Sequence, residues 1–388
     1  MNYFKSCILF LVLLAGGMSS AQERPVILIP DILGYKTLKC DFHMHTVFSD
    51  GQVWPTVRID EAWRDGLDAI SITDHIEYRP NLKYFFKEKE VVSDHNLSYE
   101  VAQEKAKQKD VLLIKGAEIT RAMPPGHCNA IFLTEINPLD TPWKDDGTGK
   151  QGWMGNGLRI NNWKEAFYKA KEQGAFIYWN HPGWKVQQPD TTLWWQEHTW
   201  LLENQMMDGI EVVNGNFYSQ EAHRWAIDKN LTIIAGSDSH GPIGGKNRPV
   251  TLVFANDRSI NSIREALLDH RSAIFYDNKL IGDRKFLDAI FFGSIAIESV
   301  EKAEKGFNIV INNPTDLPFV LSEASENDPN LKFSDKTIIP ARKSTTVLIV
   351  AEKPSSYHRI DLKLIVDNLL IAPGKGLPVT ISFINKER

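Results

Sequence analysis

From residue 38 to residue 276, short apolar runs rich in β-branched and aromatic residues alternate with stretches of helical periodicity. No other feature narrows the possible folds as far. Segments 38–43, 67–73, 111–119, 128–133, 175–179, 209–213, 231–235, 250–254 and 272–276 read as strands. Segments 55–65, 99–108, 163–173, 220–229 and 259–270 read as helices. Pro55 stands near a helix start, and Gly66 and Gly174 stand just beyond helix ends, where each backbone suits its place. Such β/α alternation predicts a parallel sheet covered by helices, closed into a barrel of about seven strands. A barrel of this class carries its chemistry at the C-terminal ends of its strands, so ligand-capable side chains should collect there.

They do. The first strand runs out into Asp41, His43, His45 and Thr46, followed by Ser49, Asp50 and Gly51. Extended residues two apart share a face, so His43 and His45 can reach one ion. Asp74 and His75 close the second strand, and Glu118 the third, with Arg121 shortly beyond. His127 opens the next strand, and Asn180, His181 and Pro182 follow the one after. Glu211 and Asn214 end a later strand, and Asp238 and His240 end another, again two residues apart. Each fragment alone has an ordinary reading. A single His-x-His usually binds nothing, His181 before a proline suits a turn, and Asp238-Ser239 suits a helix cap. Six His and three carboxylates at successive strand ends are not independent coincidences, and as a set they predict a metal centre.

The two ends of the chain read differently. Residues 1–21 have the form of an export signal: Lys5, an apolar run over 8–14, and a small-residue cleavage site at Ser19-Ser20-Ala21. The mature chain would start near Gln22 and be periplasmic or extracellular. The apolar run is too short to span a bilayer, and no other run is long enough. Of the three Cys, one leaves with the signal, and Cys40 and Cys128 are expected as buried free thiols. Beyond residue 286 the segments 295–300, 307–311, 319–322, 345–350, 360–366 and 379–383 are short and β-rich, with turn signals such as Asn312-Asn313-Pro314 between them. They predict a small antiparallel β-sandwich. The expected organisation is a signal over 1–21, a barrel over 22–285 and a sandwich over 286–388. With 44 Lys+Arg against 49 Asp+Glu, the chain offers no broad basic surface for nucleic acid. Nothing in the sequence fixes an oligomeric state.

The ordered motifs DFHMHTVFSDG, ITDH, GAEIT, GHCNAIF, NHP and GSDSH resemble the metal motifs of the polymerase and histidinol phosphatase (PHP) family, over roughly residues 37–277. The resemblance implies a distorted (β/α)7 barrel with a trinuclear metal centre that hydrolyses phosphate esters. It implies that His43, His45, Glu118 and Asp238 hold one ion. Glu118 would bridge to a second ion held by His127 and His181, and Asp50, His75 and His240 would hold a third. Asp50 stands where many relatives have a His. With its export signal and an Ig-like β-sandwich tail, the chain is similar to an exported phosphodiesterase branch of that family.

Imidazoles and carboxylates in this proportion suit two or three divalent ions, Zn²⁺, Mn²⁺ or Fe²⁺, rather than Ca²⁺ or Cu⁺. The expected reaction is hydrolysis of a small-molecule phosphodiester by a metal-activated hydroxide, with Asp74, Glu118 and Asp238 as candidate catalytic carboxylates. Arg121, Arg79 and Lys246 are the candidates to grip phosphate, with Arg248 a weaker one. Asp41, Asp74, Asn180, Glu211 and Asn214 could orient the ligands. The stretch 141–162 and the segment carrying Trp184, Trp194, Trp195 and Trp200 are candidate loops at the mouth, with rings that would suit an apolar ester group. His95, His198, His223, His270 and His358 are expected to be structural or exposed. Phosphomonoester hydrolysis is the nearest alternative, exonuclease action a more distant one, and a metal-stabilised scaffold serving an interaction module the non-enzymatic one.

Overall fold

The computed structural model describes residues 24–81, 94–141, 163–244, 248–325, 327–333, 336–352, 354 and 357–384. The expected export signal, Lys246 and nearly all of 141–162 lie outside the described residues. The first lobe contains β1 (Lys36–Asp41), β2 (Ala69–Ile72), β3 (Leu112–Ile119), β4 (Cys128–Ile131), β5 (Phe176–Trp179), β6 (Gly209–Asn214), β7 (Phe217–Tyr218), β8 (Thr232–Gly236), β9 (Val250–Ala255), β10 (Ser272–Tyr276) and β11 (Lys279–Gly282). Its helices are α1 (Pro55–Arg64), α2 (Leu97–Lys109), α3 (Glu165–Glu172), α4 (Gln196–Glu203), α5 (Gln220–Asp228) and α6 (Ile260–Leu268), and α7 (Arg284–Ser294) leads out of it. The Ser219 and Ser259 side chains accept backbone N–H groups at the starts of α5 and α6, as N-caps do. Strands β2, β4, β5 and β9 are buried along their whole length, as strands covered on both faces must be. Cys40 and Cys128 are buried and free.

The sheet follows the order β10-β9-β1-β2-β3-β4-β5-β6, with β8 beside β6. The side chain of Thr251 on β9 closes the ring to β8. Its hydroxyl bonds both the N–H and the carbonyl of Ala235, at 2.8 and 2.9 Å, where a backbone ladder would otherwise run. The sheet is not uniformly parallel as the alternation predicts. β4 is antiparallel to β3 and β5, and β9 is antiparallel to β1 and β10. Residues 120–127 are too few for the crossover of about a dozen residues that a parallel pair requires, so the chain turns straight back into β4. This reversal decides the position of His127. At the start of a reversed strand it reaches the rim where the other strands end.

Two helices were not anticipated. α4 lies in the Trp-rich segment, where bulky aromatic residues mask any apolar stripe, and α7 joins the lobes. The second lobe contains β12 (Ala296–Ala303), β13 (Gly306–Asn313), β14 (Phe319–Glu323), β15 (Leu331–Phe333), β16 (Thr337–Ile339), β17 (Lys343–Ala351), β18 (Arg359–Ala372) and β19 (Lys375–Ile384). One of its sheets is β12-β13-β17-β15 and the other β16-β14-β18-β19, all antiparallel within the sandwich. Burial alternates residue by residue along β19, the period of a half-buried strand. β18 also pairs parallel with β11, Leu280 opposite Leu369, so one sheet continues from barrel into sandwich. On α7, Phe286 packs on Phe254 of β9 and Phe291 on Phe319 of β14, with ring centroids 4.7 and 5.2 Å apart. Both lobes thereby share one apolar core. Among the described residues no helix is long and apolar enough to cross a membrane.

Candidate metal centre

The end of β1 carries His43 and His45 inward, both fully buried. The chain then folds back tightly: the N–H groups of Ser49 and Gly51 both donate to the Thr46 carbonyl. A Cβ on Gly51 would lie 2.6 Å from the backbone of His45 and Thr46, so only glycine permits this return. Asp74 clamps the loop. One of its oxygens accepts the Thr46 N–H (2.7 Å) and the Ser49 hydroxyl (2.6 Å), and the other accepts the Thr46 hydroxyl (2.6 Å). Asp74, expected among the catalytic carboxylates, is thus engaged in holding the loop that presents Asp50, and it does not line the cavity. Arg58 on α1 holds the same region from behind. Its buried guanidinium donates to the carbonyls of His45, Ser239 and Gly241 and pairs with Glu61 at 2.8 Å. Sequence reasoning missed Arg58, which reads only as one half of an i, i+3 pair on a helix.

His181 and Asp238 adopt left-handed backbone, φ 32° and 48°, uncommon for residues with a side chain. The Asp238 N–H donates to the His43 carbonyl at 2.8 Å, which locks the two strand ends together. Non-glycine residues held in this region cluster at functional sites, where surrounding contacts enforce them.

Five distances define the centre. His43 Nε2 and His45 Nε2 are 3.4 Å apart; Asp238 Oδ1 lies 3.3 and 3.2 Å from them, and Glu118 Oε2 3.6 and 3.2 Å. Ligands placed tetrahedrally at 2.0–2.2 Å from one ion stand roughly 3.3–3.6 Å from each other. Glu118 Oε2 is fully buried and accepts no well-aligned hydrogen bond among the described residues, although ring nitrogens of His75, His45 and His43 stand 3.0, 3.2 and 3.6 Å away, an arrangement that a cation resolves. The other oxygen of Glu118 lies 2.8 Å from His127 Nδ1 and 3.7 Å from His181 Nε2. Asp50 Oδ1 lies 3.2 Å from His240 Nε2 and 3.5 Å from His75 Nε2. All nine residues that the sequence singles out as ligands therefore meet in one cluster. The residues present fit a group of divalent cations.

Orienting bonds surround the cluster. Glu211 accepts from His43 Nδ1 at 3.0 Å, so that in the neutral ring Nε2 is the nitrogen left to ligate, and its other oxygen accepts the His181 N–H and the Asn214 amide. Asn214 also donates to Asp238, and Asn180 donates to Glu118 at 3.0 Å. Asp41 accepts the N–H groups of His43 and Ser237 and pairs with Arg248 at 2.8 Å.

The electrostatics of the cluster suit divalent cations. Burial by itself would raise the Glu118 carboxyl, but the His75 and His127 rings outweigh it and hold it well below the usual range. Asp238 is likewise held low against burial, chiefly by His43. Burial opposes a charged His75, yet the Glu118 and Asp50 carboxylates carry its pKa up to about 10. His127, where burial wins, is pushed down to about 4. Protons on some imidazoles balance the carboxylates, and divalent ions would supply that charge and displace them.

A cavity of about 170 Å³ opens above these ligands, walled by Tyr78 and Trp184. The Trp184 ring lies 5.0 Å from His181 and 5.7 Å from His127, and the Tyr78 ring 5.9 Å from His75. Tyr78 was not anticipated; its only sequence signal is its place three residues beyond His75. No Lys or Arg is among the described residues lining this cavity. Arg121 was expected to grip phosphate, but it is buried and paired with Glu77. Arg79, given the same expected role, ties the carbonyls of Phe48 and Asp94. Lys246 lies outside the described residues. Of the five remaining His, His198 stacks on Trp179 with centroids 3.7 Å apart, His223 bonds the Tyr218 hydroxyl, His95 meets Asp140, His270 meets Thr232, and His358 is exposed.

Residues 294–382 match the family model of an Ig-like domain. A crystal structure of a two-domain protein containing a predicted PHP-like metal-dependent phosphoesterase, from Bacteroides vulgatus ATCC 8482, is 47% identical to this chain. It superimposes with a TM-score of 0.83, covering 94% of this chain and 100% of its own. A candidate metal-dependent phosphoesterase from Bifidobacterium adolescentis ATCC 15703 is 19% identical, with a TM-score of 0.38, over 59% of this chain and 95% of its own, too distant to carry weight. No curated protein matches the chain.

Proposed function

Given that the chain belongs to the PHP-like metal-dependent phosphoesterases, we propose that it is an exported phosphodiesterase acting on small esters at a centre of three divalent ions, Zn²⁺, Mn²⁺ or Fe²⁺. The convergence of His43, His45, Glu118 and Asp238, with five ligand–ligand distances of 3.2–3.6 Å, supports this reading above all. Bound there, the ions would polarise the phosphoryl oxygens and lower the pKa of water. The chain's own residues do the rest. Glu211 keeps His43 in the tautomer that can ligate, and Asn180 and Asn214 hold the Glu118 and Asp238 carboxylates in place. Tyr78 and Trp184 wall the cavity and shield the ligands from bulk water.

One feature favours a diester over a monoester. A diester carries a second organic group, for which the Trp184 and Tyr78 rings are a suitable wall. Export is proposed from the form of residues 1–21.

The test is to measure bound metals, then to compare hydrolysis of bis(para-nitrophenyl) phosphate and para-nitrophenyl phosphate by the wild type, His43→Ala and Asp238→Ala. The diester should be the better substrate, and both variants should lose metal and activity together. A metal-loaded wild type that hydrolyses neither ester would end the reading, and faster turnover of the monoester would reverse the preference. Amino-terminal sequencing of protein recovered from outside the cytoplasm should give a start near Gln22.

A further inference from the structure

We infer that Thr120, fastened by the buried Arg121–Glu77 pair, is a positioning residue that fixes the tautomer of His75 and so reserves His75 Nε2 for an ion shared with Asp50 and His240. The inference rests on the metal-centre reading above and deepens it. His75 Nδ1 lies 2.7 Å from the Thr120 hydroxyl and 3.0 Å from Glu118 Oε2. A carboxylate only accepts, and the Thr120 hydroxyl places its own proton toward the Glu118 carbonyl at 3.3 Å. The hydroxyl is hydrogen-bonded to Nδ1 and the carboxylate oxygen stands at ion-pair distance, so both favour the ring proton there. Once an ion displaces the second proton, Nε2 keeps its lone pair, on the side of Asp50 Oδ1 and His240.

The hydroxyl is effective only if its backbone cannot move, and both ends of the Thr120 peptide unit are held. Its N–H donates to Glu77 at 2.7 Å, and its carbonyl accepts from Arg121 Nη1 at 3.3 Å. Glu77 and Arg121 pair with each other, with side chains 2% and 1% exposed. A bridge between His75 and Glu118 and the Ile76 N–H to the Glu118 carbonyl (2.9 Å) join the two strand ends directly. The cation that the sequence suggests for phosphate thus acts two residue contacts away from the centre, through Thr120. Glu211 performs the same service for His43 on the other side. Thr120 is therefore the neutral counterpart of that carboxylate, at the position served by Asp50.

The experiment titrates metal-free protein with Zn²⁺ against a chromogenic chelator. Thr120→Val keeps the shape and removes the hydroxyl. One Zn²⁺ step should weaken about 10–100-fold while the tighter steps stay within about twofold, and Thr120→Ser should bind like the wild type. Wild-type affinity at every step in Thr120→Val overturns the inference, and so does a loss in Thr120→Ser equal to that in Thr120→Val. If Thr120→Val does not fold, nitrogen-15 NMR of the Zn²⁺-loaded wild type decides: a His75 ring protonated at Nδ1 with Nε2 on the metal supports the inference, and one protonated at Nε2 overturns it. A wild type that binds no Zn²⁺ at all overturns the metal-centre reading with it, whereas Zn²⁺ binding indifferent to Thr120→Val overturns this inference alone.

Discussion

Single residues change role according to what they touch. Arg121 is three positions beyond a metal-ligand candidate and carries a phosphate-shaped fork, yet its guanidinium is buried against Glu77. Removing one partner of a buried pair strands the other charge, so Arg121→Met should cost about 3–5 kcal/mol in urea unfolding. Its KM for the diester should stay near the wild-type value. A large KM increase with unchanged stability would return Arg121 to the substrate. Trp184 is the opposite case, a ring from a segment expected at the mouth that does stand over His127 and His181. Trp184→Ala should weaken an aryl diester by about 1 kcal/mol, roughly fivefold in KM. A methyl para-nitrophenyl diester should be affected less, as steady-state kinetics on the two esters would reveal.

At the scale of elements, two features decide where the site and the second lobe sit. The reversal of β4 brings His127 to the rim, as described above, and α7 ties the lobes. Phe291 on α7 is fully buried against Phe319 of the sandwich, while Phe286 five residues earlier meets Phe254 of the barrel. Phe291→Ala should therefore cost about 3–5 kcal/mol. Because β11 and β18 share a ladder, calorimetry should show one transition moved to lower temperature. Two separated transitions, with only the sandwich shifted, would mean that the lobes unfold independently.

For the molecule as a whole, stability should fall on mild acidification through histidines outside the centre. His198 Nε2 donates to the Pro125 carbonyl at 2.7 Å while Nδ1 accepts the Trp195 N–H at 3.1 Å, so the neutral ring uses both nitrogens. Burial pushes its pKa down to about 4, and burial does the same to His223. Between about pH 6.5 and about 4 the unfolded chain takes up protons on these rings and the folded chain does not. Their contribution is complete above pH 6.5 and is lost as pH falls through that window. Thermal melts of metal-free protein should drop across it, and His198→Gln should flatten the drop. A melting temperature constant from pH 6.5 to 4 would contradict the assignment. Bound divalent ions should raise the melting temperature in proportion to the logarithm of their excess, since only the folded chain assembles the centre.

Local sequence determined the order of most strands and helices, α4 and α7 excepted, because periodicity and turn residues act over a few positions. It also determined which side chains could ligate, because strand ends are readable once the strands are. The β-rich tail was equally legible, since its alternating burial is a period of two. The direction of β4, the ladder between β11 and β18, and the fates of Asp74 and Arg121 came only from the tertiary structure. Each depends on a neighbour distant in the chain. Arg121 and Glu77 are 44 positions apart, and no local pattern records that a carboxylate waits there to hold a guanidinium away from the cavity.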